Sequence, residues 1–220
     1  MEKAPEVSII TRCRNRLEYT IQVVNAVRTA SQIDYEHIIV DNASSDGTYE
    51  WFKWMKENTS WFDKLRYVRM EYNEGDWGGM LKGFGHTRGN YIVQLDNDII
   101  PCEGWLRVMK TVLEMTEYKV VMLKRDNVAW KLKPLSEIRH VGLLQVARVE
   151  RAVACYMMSK DNFMKCYNNI PPRLGKKSKY IMAKLLHPIG KILNRTCIEL
   201  EADFQRKKYD PKNPQIWEKI

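Results

Sequence analysis

The sequence predicts an α/β protein with a mainly parallel central sheet flanked by helices. Three observations carry the prediction. Short β-branched runs alternate with amphipathic stretches of helical length from Val7 to Met115. The runs are apolar throughout, so both of their faces must be covered. Polar loops follow them at their carboxyl ends, and a helix between two strands supplies the crossover that a parallel pair needs.

In chain order, Val7-Ser8-Ile9-Ile10-Thr11 reads as the first strand. Asn15-Arg16-Leu17-Glu18 resembles a capping box opening a helix with Leu17, Ile21, Val24 and Val27 on one side. His37-Ile38-Ile39-Val40 is a second buried strand, ended by the loop Asp41–Gly47 and followed by a helix carrying Trp51, Phe52, Trp54 and Met55, with Trp51 and Trp54 read as core. Leu65–Met70 is a third strand, Gly78–Gly85 a glycine-rich helix, Tyr91–Leu95 a fourth strand and Trp105–Met115 a helix. Beyond Val120-Val121-Met122-Leu123 the periodicity becomes mixed, until Ala152–Met158 gives a buried strand with Ser159 as an N-cap. Lys176–Asn194 alternates apolar residues with lysines, as in a helix broken near Pro188.

Composition narrows the function classes. A chain of 220 residues that is 45% hydrophobic can bury the core of one globular domain, and no boundary within 1–220 is compelling. No apolar run reaches the eighteen residues of a membrane helix, and Met1–Glu6 lacks the apolar stretch of a secretory signal, so a cytoplasmic location is expected. Five cysteines without a Cys-x-x-Cys pair suggest neither a disulfide framework nor a zinc finger. Of the net charge of +9, residues 165–220 hold +8, with 13 Lys/Arg against 5 Asp/Glu. The near-neutral body argues against a nucleic-acid binder.

Chemistry concentrates at the strand ends. In extended chain, residues two apart point the same way, so Asp96 and Asp98 can face one divalent cation whose shell is completed by phosphate oxygens. An exposed turn is the alternative. A calcium loop is excluded, because Ile100, Pro101 and Arg107 stand where that loop needs an oxygen ligand, a glycine and a bidentate glutamate. Ligands of open parallel sheets sit beyond the carboxyl ends of the strands, which here carry Thr11 with Arg12 and Arg14, Asp41 with Asn42, and Asp96 with Asp98. Asp41 can accept the imino N–H of a base, with helix capping as the alternative in a loop whose Asp46 or Ser45 caps the following helix, and the arginines can neutralise phosphate or stack on a base. In Asn73–Gly83, glycines at a helix start let backbone N–H groups approach an anion, and Lys82 adds charge one turn later. Gly83-Phe84-Gly85-His86-Thr87-Arg88-Gly89 precedes its strand and has the wrong spacing for a dinucleotide fingerprint. Trp77 is placed to meet a sugar, and His140 and His187 are either metal ligands or structural.

The segments Val7–Arg16, Val40–Thr48, Asn73 with Gly75, and Leu95–Asp98 occur in an order that resembles glycosyltransferase family 2, the inverting transferases of GT-A fold. The likeness is strong over about residues 7–105. It implies a nucleotide-sugar-binding half, 1–115, and an acceptor-side half, 116–220. It further implies that Thr11, Arg14 and Asp41 hold the base and ribose, that Asp96 and Asp98 hold the ribose and a Mn²⁺ or Mg²⁺ on the diphosphate, and that Asn73 and Gly79 line the donor side, where the charge of Lys82 would also fall. The family's acidic pair followed by Asp-Leu has its nearest equivalent in Glu199-Leu200-Glu201-Ala202-Asp203-Phe204, where the first acidic position is lost. Glu201 is then the candidate base, with Asp203 and Glu199 as alternatives; a helix surface with Asp203 paired to Lys207 is the competing account.

The activity implied is transfer of a hexosyl or deoxyhexosyl unit from a nucleoside-diphosphate sugar to a glycan or lipid-linked acceptor. A non-catalytic sugar-nucleotide or glycan-binding relative stays open because the acidic pair is incomplete. A nucleotidyltransferase is disfavoured, because Thr11–Asn15 contains no glycine to grip a triphosphate. The segment Lys176–Asn194 is expected to close over the site as a lid or to make a peripheral contact with an anionic membrane.

Overall fold

The computed structural model describes residues 3–101, 103–123, 139–149, 155–169, 182–186 and 198–199. The first half follows the alternation read from the sequence: β1 (Val7–Cys13), α1 (Leu17–Ala30), β2 (Tyr35–Asp41), α2 (Thr48–Asn58), a 3-10 turn (Ser60–Lys64), β3 (Leu65–Arg69), α3 (Gly75–Phe84), β4 (Tyr91–Asp96), β5 (Ile99–Ile100) and α4 (Trp105–Met115). The second half adds β6 (Val120–Met122), β7 (Arg139–Val141), β8 (Leu144–Val149), β9 (Cys155–Ser159), α5 (Lys160–Asn169), β10 (Met182–Leu186) and β11 (Ile198–Glu199).

Nine strands form one sheet in the order β3-β2-β1-β4-β9-β6-β10-β8-β7, and β11 pairs with β5 in a separate two-stranded ribbon. The sheet is parallel from β3 to β4, as expected, but β9 enters antiparallel between β4 and β6, and β7, β8 and β10 make further antiparallel pairs. The central sheet is therefore mixed. β10 lies within Lys176–Asn194, so the helix expected there is a strand over 182–186; the rest of that segment and His187 lie outside the described residues. The alternation of apolar residues with lysines supports either period, and pairing with β6 and β8 decides for the strand.

Helices cover both faces. Val7, Ile9, Val93 and Leu95 pack with α1 and α4, and Cys13, Ile39 and Phe52 bring α2 to the same side. Ile10, Ile38, Val40 and Ile92 face α3 and α5. The first of these clusters also contains Val121, Val141, Val146 and Met157, so residues on either side of position 115 share one core. Trp54, read as core, is 54% exposed; Phe52 and Met55 form the buried side of α2. The capping box at Asn15–Glu18 is not formed: Arg16 is the N-cap of α1 and makes no side-chain capping bond. Ser159 does cap α5, its hydroxyl accepting from the Asn162 N–H at 3.2 Å.

β3 closes one end of the sheet order. A groove of about 760 Å³ runs beside it, lined among others by Lys53, Lys56, Lys64 and Arg66. On the neighbouring strand, Glu36 is buried and multiply bonded. It accepts from the Ser8 hydroxyl at 2.7 Å, the Arg88 N–H at 2.6 Å and the Arg88 guanidinium at 2.9 Å. Burial pushes its carboxyl pKa up, but the bonds from Ser8 and Arg88 outweigh this and hold it below the usual value.

A carboxyl with a depressed folded pKa stabilises above its unfolded pKa, about 4.3, and loses that contribution as pH falls through the folded value. Glu36→Gln is expected to cost about 1–3 kcal/mol at pH 7, with the difference from wild type shrinking below about pH 4. Urea midpoints measured from pH 7 to pH 3 check this.

Candidate active site

The parallel ladder aligns the strand ends. Arg12 lies opposite both Val40 and Asp96, and Cys13 lies opposite Asp41, so the loops after β1, β2 and β4 open on the same side of the sheet. Side chains alternate along β1, which turns Thr11 and Arg12 to opposite faces. Thr11 is buried with its hydroxyl 2.9 Å from His37 Nε2, and burial pushes that imidazole down to about 3, so it stays neutral. Arg14 is exposed. The cation turned into the crevice is Arg12, whose register partner on β4 is Asp96.

Arg12 extends under the start of α3. One terminal nitrogen donates to Asp96 Oδ1 at 2.9 Å, and the other donates to the Asp76 carbonyl at 2.7 Å and lies 3.6 Å from the Asp76 carboxylate. Its Nε is buried and has no hydrogen-bond partner among the described residues. Gly79 makes room for the stem: a Cβ there would lie 3.2 Å from Arg12 Cγ and 3.3 Å from Asn42 Nδ2. Gly79 thus shapes the floor of the crevice by what it lacks. Asn42 fastens the same helix start, donating to the Gly75 carbonyl at 2.9 Å and accepting from the Glu74 N–H at 3.3 Å. Asn73 is exposed and accepts from the Gly75 N–H at 3.1 Å, at the point where Gly75 takes φ +71°. Lys82 is exposed on α3. Trp77 stacks toward Phe163 with ring centroids 6.4 Å apart.

Asp41 is fully buried at the end of β2. Its Oδ1 accepts from the Ser44 N–H at 2.8 Å and its Oδ2 from the Tyr67 hydroxyl. Asp41 Oδ1 thus caps the turn at Ser44 rather than a helix N-terminus. Burial pushes the Tyr67 hydroxyl up, and its bond to Asp41 adds to this, so Tyr67 remains a protonated donor. Neither Tyr67 nor the pairing of Arg12 with Asp96 stands out in the sequence. Tyr67 lies across β2 from Ile39, so only the strand register brings it to Asp41.

Asp46 joins the loops. Its Oδ2 accepts from the Arg16 and Leu17 N–H groups at 2.6 and 2.9 Å, and its Oδ1 from the Thr48 N–H at 3.2 Å and hydroxyl at 2.5 Å. One carboxylate therefore serves the N-termini of both α1 and α2, where the helix dipoles favour negative charge. Asn15 crosses in the other direction, accepting from the Ser45 N–H at 2.7 Å.

Asp96 ends β4 and Asp98 lies in the turn before β5. Arg12 and the Gln94 amide both donate to Asp96 Oδ1, the latter at 2.6 Å. Burial raises the Asp96 carboxyl pKa, Arg12 opposes the shift, and Asp76 adds to it. Asp98 is mostly buried and lies 3.4 Å from Arg16. No cluster of three His, Cys, Asp or Glu side chains is found among the described residues. The site still suits a hard divalent ion that takes one or two carboxylates and completes its shell with substrate phosphates and water. Asp96 Oδ2 and the Asp98 carboxylate are the donors of that type. His140 is exposed on β7.

The ribbon β5–β11 brings the distant pair Ile198–Glu199 to this turn. Glu199 pairs with Ile99, the residue that follows Asp98. Glu201 and Asp203 lie outside the described residues, two and four positions further along the chain.

A mixed sheet covered by helices, with polar loops and two acidic residues at the ends of its first parallel strands, defines a GT-A type α/β fold. S. aureus TarS, residues 1–349, has the same architecture, with a TM-score of 0.62 at 14% identity over 92% of this chain and 63% of that one. Its complex with UDP-GlcNAc gives 0.63 at 12% identity over 88% and 58%. The family model for glycosyl transferase family 2 matches residues 8–180, and the chain belongs to that family. Glycosyltransferase AglE of Haloferax volcanii is 30% identical over 104 residues, 46% of this chain and 33% of its own. The putative teichuronic acid biosynthesis glycosyltransferase TuaG of Bacillus subtilis is 31% identical over 94 residues, 43% of this chain and 36% of its own. The matches to these two curated relatives thus span about a third of each relative's length. No helix among the described residues is long and apolar enough to cross a membrane.

Removing the Asp46 carboxylate leaves helix-start N–H groups without their partner. Asp46→Ala is expected to lower stability by about 1–3 kcal/mol, and Asp46→Asn by less, since one amide oxygen can still accept. Equilibrium urea unfolding of the two variants checks the order.

Proposed function

We propose that this chain transfers a sugar from a nucleoside-diphosphate sugar to an acceptor hydroxyl, with inversion at the anomeric carbon. The observation that carries the reading is the pairing of β11 with β5, which attaches the acidic segment beginning at Glu199 to the turn holding Asp98. That pairing joins segments far apart in the chain. Chain geometry keeps the Glu201 Cα within about 7 Å of the Glu199 Cα.

In this mechanism Glu201, with Asp203 and Glu199 as alternatives, removes the acceptor proton as the oxygen attacks opposite the departing diphosphate. Mn²⁺ or Mg²⁺ held by Asp96 and Asp98 would neutralise charge on that diphosphate. Asp41, fixed by Tyr67 and Ser44, borders the position of the base at the end of β2, and Asn42 and Gly79 set the distance of α3 from the donor. A glycan or a lipid-linked hydroxyl is the acceptor.

The structural neighbour seen with UDP-GlcNAc makes UDP-sugars the first donors to test. A panel of nucleotide sugars with Mn²⁺ or Mg²⁺ is expected to include one that raises the melting temperature, because a ligand of the folded state alone stabilises it. Asp98→Ala should remove the metal-dependent part of that shift, and Glu201→Gln should keep the shift while slowing transfer by about 10²-fold or more. Released nucleoside diphosphate marks a glycosyltransferase and pyrophosphate a nucleotidyltransferase. A panel in which no sugar nucleotide shifts the melting curve would overturn the proposal.

A further inference from the structure

Arg12 is unusual among the charged residues of the crevice. Its side chain is only 13% exposed, it is bonded to Asp96 at 2.9 Å, and it sits beneath the N-terminal half of α3. A helix N-terminus is a poor place for a cation, since the backbone dipoles there already present positive charge. The neighbouring anions compensate incompletely. Asp76 is 97% exposed and 3.6 Å away, Asp96 is shared with Gln94, and the buried Nε has no partner among the described residues. A buried guanidinium with an unsatisfied donor, between a strand-end carboxylate and a glycine-rich helix start, is a site prepared for more negative charge than the protein itself supplies.

The same contact bears on the divalent ion. An ion bound to the other oxygen of Asp96 would lie no more than about 7 Å from the Arg12 nitrogen, since metal–oxygen distances here are close to 2.1 Å. That is inside the screening length at physiological salt, so the two cations repel. They also serve one purpose, the neutralisation of a diphosphate.

We propose that Arg12 is a tethered counter-cation of the donor site. It holds Asp96 before the donor arrives, takes part of the diphosphate charge once the donor is bound, and so makes nucleotide binding only partly dependent on a divalent ion. This rests on the sugar-nucleotide reading above. It adds that the protein carries its own share of the neutralising charge, at the strand-end position between Thr11 and Arg14.

The test compares wild type, Arg12→Met and Arg12→Lys, each checked for folding by circular dichroism and thermal melting. UDP, GDP and dTDP are the probes, titrated calorimetrically in EDTA and in Mn²⁺, and Mn²⁺ affinity is measured separately by electron paramagnetic resonance. Wild type is expected to retain binding of one nucleotide in EDTA. Arg12→Met should lose about tenfold or more of that binding, and Arg12→Lys, which keeps the charge, should retain most of it. Mn²⁺ should bind Arg12→Met at least threefold more tightly than wild type, a gain that a purely structural role for Arg12 would not produce. Equal nucleotide affinity of wild type and Arg12→Met in EDTA, or weaker Mn²⁺ binding by the variant, overturns the proposal while leaving the donor reading intact. Absence of nucleotide binding by wild type in both EDTA and Mn²⁺ overturns both.

Discussion

The helix α3 lies so close to the sheet that a methyl group on Gly83 would come within 2.5 Å of Ile10 Cγ2 and 3.0 Å of Val40 Cγ2. Only a residue without a side chain permits this approach, and the rest of the crevice depends on it. One turn earlier, Gly79 lets the Arg12 stem pass between helix and strand, and earlier still the helix start is held by Asn42. Glycine inside a helix costs roughly 0.5–1 kcal/mol relative to alanine. The close packing of Ile10, Val40 and Met80 against this helix offsets that cost, with each buried aliphatic side chain worth about 1.5–3 kcal/mol.

The loops above the first two strands are held by reciprocal bonds. Asn15 from the first loop meets Ser45 of the second, and Asp46 of the second meets the backbone of Arg16 and Leu17 in the first. Positive φ values at Asn15, Arg16 and Ala43 occur in the same two loops, in conformations that L-residues adopt at a cost of about 1–3 kcal/mol each. These cross-bonds hold the strained backbone in place. The consequence is a rim set before any ligand arrives, so the ordering cost of binding is reduced.

Much of this was legible because the first half obeys strong local rules. Apolar runs such as Ile38–Val40 are too short for helices and too continuous for a half-exposed strand, and the acidic pair at 96 and 98 follows such a run directly. What local pattern could not deliver is anything that depends on register. Arg14 resembles the family pattern, yet it lies beyond the end of β1 and is exposed, while Arg12, on the strand itself, is paired with Asp96. Thr11 has the right position in the sequence, and its hydroxyl is used by His37. Tyr67 reaches Asp41 only through the pairing of β3 with β2. In the second half, strands join the sheet out of chain order, β9 beside β4 and β10 beside β6, so neighbours in the sequence are not neighbours in space. Periodicity therefore misread β10.

The terminal position of β3 has a further meaning for the life of the molecule in a crowded solution. A strand at the end of a sheet offers backbone donors and acceptors to any extended segment that drifts past, which is how sheets of separate molecules fuse. Here an incoming strand would have to settle beside Lys53, Lys56, Lys64 and Arg66 and strip water from their charges. An identical chain would bring the same lysines with it. Charge repulsion thus guards this border against runaway self-pairing, and the fold keeps a mixed sheet with a parallel terminal strand without becoming a template for its own aggregation.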